Sequence, residues 1–194
     1  MTNGGMSRTS NRGARQAASG HTVVIETARL VLRQLELSDA AFILELLNEP
    51  AFLQFIGDKG VRTLADAEGY IGKGPGDSYA RHGFGLYAAC LRDGTPLGIC
   101  GLVKRDGLSD VDVGFAFLAR YRLQGFAVES AAAVLAHAKQ ELRLRRVVAI
   151  TAPDNPGSIA VLERIGLEFE RMIRLEEHSP ELRLYGPGRS VRAP

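Results

Sequence analysis

Apolar positions recur along this chain with two alternating periods, near 2 in short runs and near 3.6 in longer ones. Val23-Val24-Ile25 and Leu30-Val31-Leu32-Arg33 predict a first strand, interrupted near Thr27. Ser38 is placed as the N-cap of a helix carrying Phe42, Ile43, Leu46 and Leu47, which Pro50 ends. A short helical piece covers Ala51 to Ile56. Thr63 caps a further helix through about Ile71, with Asp66 completing a capping box, and residues 72–77 read as a loop. Phe84 to Leu91 and Leu97 to Val103 form two strands joined at Asp93-Gly94, and Arg105-Asp106-Gly107 turns the chain into a fourth strand, Val111 to Leu118.

A long helix follows, with Val128, Ala131, Leu135, Ala138 and Leu142 on one stripe. Arg146 to Ile150 is a buried strand broken by Pro153-Asp154-Asn155-Pro156. Asn155 then serves as N-cap and Pro156 as first residue of a helix burying Ile159, Leu162 and Ile165, closed by Gly166. Phe169 to Leu175 and Leu182 to Tyr185 form a terminal strand pair.

These elements make one mixed α/β domain over residues 23–186, with a central sheet of about seven strands and about four helices. The strand–helix–strand unit across the long helix requires a parallel strand pair. Residues 1–22 are rich in Gly, Ser, Asn and Arg without an acidic residue and read as a disordered tail, and residues 187–194 as a frayed end.

A net charge of +2 is too small to make nucleic acid the main partner, and no aromatic–basic platform accompanies the tail. No apolar run is long enough to span a bilayer. Cys90 and Cys100 lie in apolar strands, which suits small core residues in a reducing cytoplasm, although neighbouring strands would also permit a bond between them. The four histidines and two cysteines have no metal-ligand spacing, so no metal is expected.

The chemistry concentrates at Arg122-Leu123-Gln124-Gly125-Phe126-Ala127, between the fourth strand and the long helix. A helix start offers backbone N–H groups without internal partners, and its dipole favours negative charge. Gly125 removes a Cβ from the approach path, and Arg122 adds a fixed positive charge. The turn suits a phosphate, and the same hexapeptide taken alone also serves as an ordinary βα connection.

This turn, on this element order, resembles the GNAT superfamily of acyl-CoA-dependent N-acetyltransferases, whose pyrophosphate loop reads Gln or Arg, two residues, Gly, one residue, then Gly or Ala. Arg122, Gly125 and Ala127 match without a gap. Asn155, Ser158 and Val161-Leu162-Glu163-Arg164-Ile165-Gly166-Leu167 resemble its next motif, and Thr27-Ala28-Arg29-Leu30-Val31-Leu32-Arg33 resembles the opening of the Rim-type branch, named for ribosomal-protein N-terminal acetyltransferases. The likeness runs from Thr27 to about Tyr185. That branch usually carries Trp-Gly where this chain has Arg122-Leu123.

The resemblance implies direct transfer of acetyl from acetyl-CoA to an amine, either a protein N-terminus or a small molecule; the alternative is a non-catalytic acyl-CoA-binding module. It implies a sheet split between the fourth and fifth strands, with Phe117, Leu118 and Ala119 pairing the pantetheine arm. Arg122, Leu123, Gln124, Gly125, Phe126 and Ala127 would take the diphosphate, and Asn155 and Ser158 would contact the arm or the adenosine side, or simply cap their helix. A backbone N–H near Leu118 would stabilise the developing oxyanion.

Val111, Val113, Phe115 and Phe117 share one face of the fourth strand and Asp112, Gly114 and Ala116 the other, and many relatives carry a Glu on this strand, so Asp112 is the candidate base. Where many relatives have a tyrosine as thiolate acid, this chain has Leu162, leaving Tyr121 and Tyr185 as alternatives. His82 and His137 are read as surface or packing residues. A homodimer is a frequent assembly in the superfamily, and the oligomeric state stays open.

Overall fold

The molecule is organised around one continuous mixed sheet, seen in a computed structural model that describes residues 15–16 and 21–188. The expectations for the other residues of the N-terminal tail and for 189–194 lie outside the described residues. Nine strands, β1 Arg15–Gln16, β2 Thr22–Glu26, β3 Leu30–Gln34, β4 Leu86–Leu91, β5 Pro96–Val103, β6 Val111–Phe117, β7 Val147–Thr151, β8 Leu167–Ile173 and β9 Leu182–Pro187, run in the order β1-β2-β3-β4-β5-β6-β7-β9-β8. Every neighbouring pair is antiparallel except β6 and β7.

Two more strands appear than expected, for separate reasons. What read as one strand interrupted near Thr27 is a hairpin of β2 and β3, in which Val23 faces Arg33 and Glu26 faces Val31. The interruption is its turn: Thr27 N donates to Leu30 O at 2.9 Å, and Leu30 N donates to the Thr27 hydroxyl at 2.9 Å. The other is β1, two residues of the expected tail, which pairs with Thr22 and Val23.

Six α-helices pack on the sheet: α1 Ala40–Leu47, α2 Pro50–Phe55, α3 Leu64–Ile71, α4 Asp77–His82, α5 Phe126–Gln140 and α6 Pro156–Arg164. Thr63 and Asp66 exchange the expected capping-box bonds at 3.1 and 2.9 Å. At the start of α1 it is Asp39, not Ser38, whose side chain accepts, from Glu36 N at 2.9 Å. Pro50 opens α2 instead of closing α1, a first-turn position where its missing N–H costs nothing. The expected loop at 72–77 is a turn of π-helix over Gly72–Gly76 that carries α3 directly into α4.

The alternation of side chains sorts two apolar cores onto opposite faces. Leu30, Leu32, Tyr87, Leu102, Val113 and Phe117 meet α5 on one face. Ala88, Cys90, Ile99 and Leu118 meet α1, α2 and α3 on the other. Cys100 belongs to the first core and Cys90 to the second, so the sheet separates the two thiols, and both are free. Burial pushes the Cys100 thiol up to about 12.

Candidate active site

The sheet opens between β6 and β7. All of β6 through Phe117 is paired with β5, but only Val111 and Asp112 are paired with β7, opposite Val147 and Val148. From Ala149 onward β7 is held by β9 on its other side, so Val113 to Phe117 leave a free edge toward the gap. A cleft of about 1210 Å³ follows this fork and reaches both faces of the sheet. Asp112, Phe117, Arg122, Leu123, Gly125, Phe126, Ala127, Asn155 and Ser158 line it; Leu118, Ala119 and Gln124 do not.

Hydrogen-bond direction explains two of those omissions. Leu118 N donates to Leu97 O at 3.0 Å, so this N–H faces β5 and is not available as an oxyanion donor. Backbone groups alternate sides along a strand, which turns the N–H groups of Phe117 and Phe115 toward the gap. Ala119 N donates to Glu49 Oε1 at 3.0 Å and is likewise occupied. Of the N–H groups near Leu118, that of Phe117 is the one turned to the gap.

At the mouth of the fork, α5 makes its first internal bond from Glu129 N to Gly125 O, leaving the N–H groups of Phe126, Ala127 and Val128 without helix partners. Gly125 is the N-cap of α5 at φ +82°, a left-handed conformation that glycine adopts without strain. Leu123, fully exposed, has φ +60°, where an L residue is disfavoured by about 1–2 kcal/mol. The glycine that the Rim-type pattern carries at this point has a conformational reason, and this chain keeps the path without it. Gln124 is turned to Arg120 O at 3.1 Å.

Arg122 is tied down on both sides. Its Nε donates to Phe117 O at 2.9 Å and its Nη2 to Glu49 Oε2 at 2.8 Å, so it braces the loop against β6 and the start of α2. A second arginine, not singled out from the sequence, stands at the same loop. Arg29 donates from Nη1 to Gln124 O at 3.0 Å and from Nε to Glu129 Oε2 at 2.6 Å, with its guanidinium 4.5 Å over the Phe126 ring. Burial raises the Glu129 pKa, but bonds from Thr27 and Arg29 outweigh it and hold the carboxyl below the usual carboxylate range. The motif Thr27-Ala28-Arg29-Leu30 carried this signal; only its spatial partner was missing.

Asp112 occupies the last paired rung, where the fork begins, and is 1% exposed. Arg105 Nε lies 3.1 Å from both of its carboxylate oxygens. Burial dominates and pushes the Asp112 carboxyl above the usual range, with Arg105 opposing. A carboxylate of raised basicity at the gap suits proton abstraction.

Asn155 Oδ1 accepts from Ser158 N at 3.0 Å, the capping bond expected from sequence, and both residues lie on the cleft wall. Tyr121 also lines the cleft. Tyr185 does not; it is buried in the core with its hydroxyl unpartnered among the described residues. His82 lies on the cleft wall stacked on Phe84 at 5.6 Å, whereas His137 is away from it on α5. Among the described residues no group of three or more His, Cys, Asp or Glu is arranged to hold a metal ion, and no helix is long and apolar enough to cross a membrane.

The chain is similar to known proteins in both sequence and shape. The family described as an acetyltransferase (GNAT) domain matches residues 29–168. The uncharacterized N-acetyltransferase YnaD of Bacillus subtilis (strain 168) is 30% identical over 147 residues, 75% of this chain and 83% of that protein. The fold of this chain is shared by an acetyltransferase from Agrobacterium tumefaciens str. C58, with a TM-score of 0.72, 24% identity and coverage of 84% of this chain and 92% of that one. RimL, a ribosomal L7/L12 alpha-N-protein acetyltransferase, superposes with a TM-score of 0.73 at 18% identity over 90% of this chain and 98% of its own.

Proposed function

The chain belongs to the GNAT acetyltransferase family, and from that premise we propose that it moves acetyl from acetyl-CoA to an amine by direct attack within one ternary complex. The observation that carries this reading is the sheet fork, with Asp112 at its apex and the N-terminus of α5 at its mouth.

The residues at the fork fit acetyl-CoA. The N–H groups at the start of α5 suit its diphosphate, with Arg29 and Arg122 supplying positive charge alongside. The free edge of β6 at Phe115 and Phe117 suits its amide arm, since an amide chain can pair there as a strand would. Asn155 and Ser158 flank the arm from α6. When bound, acetyl-CoA supplies an activated acetyl thioester.

Phe117 N–H then meets negative charge developing on the acyl oxygen; one such fixed donor is worth about 3–4 kcal/mol in related chemistry. Asp112 takes the proton from the acceptor ammonium, directly or through water, and Arg105 holds its carboxylate in position. Asp112 stands on one face of β6 while Phe117 N–H points along its free edge, so donor and acceptor approach without competing. No residue is assigned to protonate the leaving thiolate, which departs readily without an acid.

The test is thiol release from acetyl-CoA, followed with a thiol-trapping reagent against an amine and peptide panel, with product masses recorded. Amine-dependent release with an added acetyl mass is the expected result. Acetyl-CoA binding with no release across the panel would favour the non-catalytic module instead.

A further inference from the structure

The acceptor side of the cleft, on the face of α2 to α4, is strongly cationic. Lys59, Lys73, Arg81, Lys104 and Arg105 line it, against Asp77 and Asp112. Two of these cations are already answered: Arg105 by Asp112 at 3.1 Å, and Arg81 by Asp77 at 3.5 Å. Lys104 Nζ donates to the carbonyls of Leu108 and Ser109 at 3.0 and 2.6 Å, neutral groups that leave its charge uncompensated. Lys59 and Lys73 make no ion pair among the described residues. Partial burial and the adjacent Arg105 guanidinium hold the Lys59 ammonium below the usual lysine range.

These charges are poorly placed for the acyl donor. The donor's diphosphate is assigned to the start of α5, which packs on the opposite face of the sheet, with Arg29 at the same loop. A cluster of cations facing an acceptor that arrives as an ammonium would only repel it, unless the acceptor brings negative charge of its own. We propose that the acceptor is an amine carrying a carboxylate close to the nitrogen that is acetylated, with the carboxylate received by Lys59 and Lys73. This rests on the transferase reading of the same cleft. The arrangement also serves the chemistry: positive neighbours lower the acceptor's ammonium pKa, so more of it is present as the reactive free amine.

Paired acceptors that differ in carboxylate content test this. One pair is free alanine and alaninamide; the other is the peptide amides Ser-Glu-Glu and Ser-Gln-Gln, which separates a free amino acid from an acidic N-terminus as the source. In at least one pair the acid should show a KM at least about tenfold lower than the amide, with the gap shrinking at high salt. The Lys59→Gln/Lys73→Gln double variant, altered only at two lysines that make no ion pair among the described residues, should erase the gap. Its melting shift with acetyl-CoA should stay unchanged. Equal KM values within both pairs, or a gap that survives in the double variant, would overturn the proposal while leaving transferase activity intact. If no amine turns over, calorimetric binding of the same four compounds to CoA-saturated protein makes the same comparison. The fate of the transferase reading and that of the anionic acceptor are thereby read separately.

Discussion

Asp112 shows how much a single residue's role depends on what the fold places beside it. Parity along the strand was enough to separate it from Val111 and Val113, and the described structure keeps that separation. Its partner Arg105 was out of reach from the sequence, because it stands seven positions earlier across a turn and only the return of the chain brings the two to 3.1 Å. Asp112→Asn should lower kcat by about two to four orders of magnitude while leaving acetyl-CoA affinity within a few-fold, as read by steady-state kinetics and calorimetry. Its pH behaviour has a definite sign. The folded-state pKa is raised, so the native state holds this proton to higher pH than the unfolded chain does, and stability contributed by Asp112 is lost as pH rises through that folded value. Turnover should therefore show an acidic limb above the ordinary aspartate pKa of about 3.9, absent from the asparagine variant, which should melt no lower than wild type at neutral pH.

At the scale of the element, the strand, turn and helix start at α5 were legible from the sequence, yet several atoms of their surroundings were not. A strand, a basic turn and a helix are local patterns. The brace from Glu49 to Ala119 N and Arg122 is a contact between segments some 70 residues apart, and nothing in either segment announces it. That the N–H of Leu118 faces β5 and that of Phe117 the gap follows from strand register, which hydrophobic alternation does not specify on its own. Leu123 supplies a test of the loop that avoids disturbing the cap. Its side chain is fully exposed at φ +60°, so Leu123→Gln and Leu123→Glu retain similar backbone strain and differ mainly in charge. The glutamate variant should weaken acetyl-CoA by about tenfold or more, whereas the glutamine variant should stay within about threefold. Equal affinities would move the diphosphate elsewhere. A substitution at Gly125 is a poorer probe, since any Cβ there meets a left-handed φ and lies 3.3 Å from Arg29 Nη2.

For the whole molecule, element order carried most of the fold, because each βα unit declares itself through periodicity and caps. The first hairpin escaped because its turn is only three residues long and hides among β-forming side chains, with Thr27 bonding its own loop. The position of β9 between β7 and β8 also needed three dimensions, since the chain order places it last. If acetyl-CoA binds only the folded protein, a concentration about one hundred times its dissociation constant should add roughly 2.7 kcal/mol. For a domain of this length that is a rise in Tm of about 5–10 °C. CoA should come close to it, while ADP, NADH and ATP should fall well short for want of the amide arm. Equal shifts from all of these would reduce the fork to a general phosphate site. The fork also bears on how the protein coheres. Among the described residues the strand ladder between β6 and β7 has two rungs, at Val111 and Asp112, so backbone pairing between the larger block of the sheet and the β7–β9–β8 block is slight. On the proposed reading the donor's amide arm acts as a removable strand, stitching the blocks together on arrival and releasing them on departure. Amide hydrogens of Phe115 and Phe117 should then exchange quickly in the free protein and slow sharply with acetyl-CoA, so that each turnover leaves the two blocks, for a moment, held by those two rungs and the shared core alone.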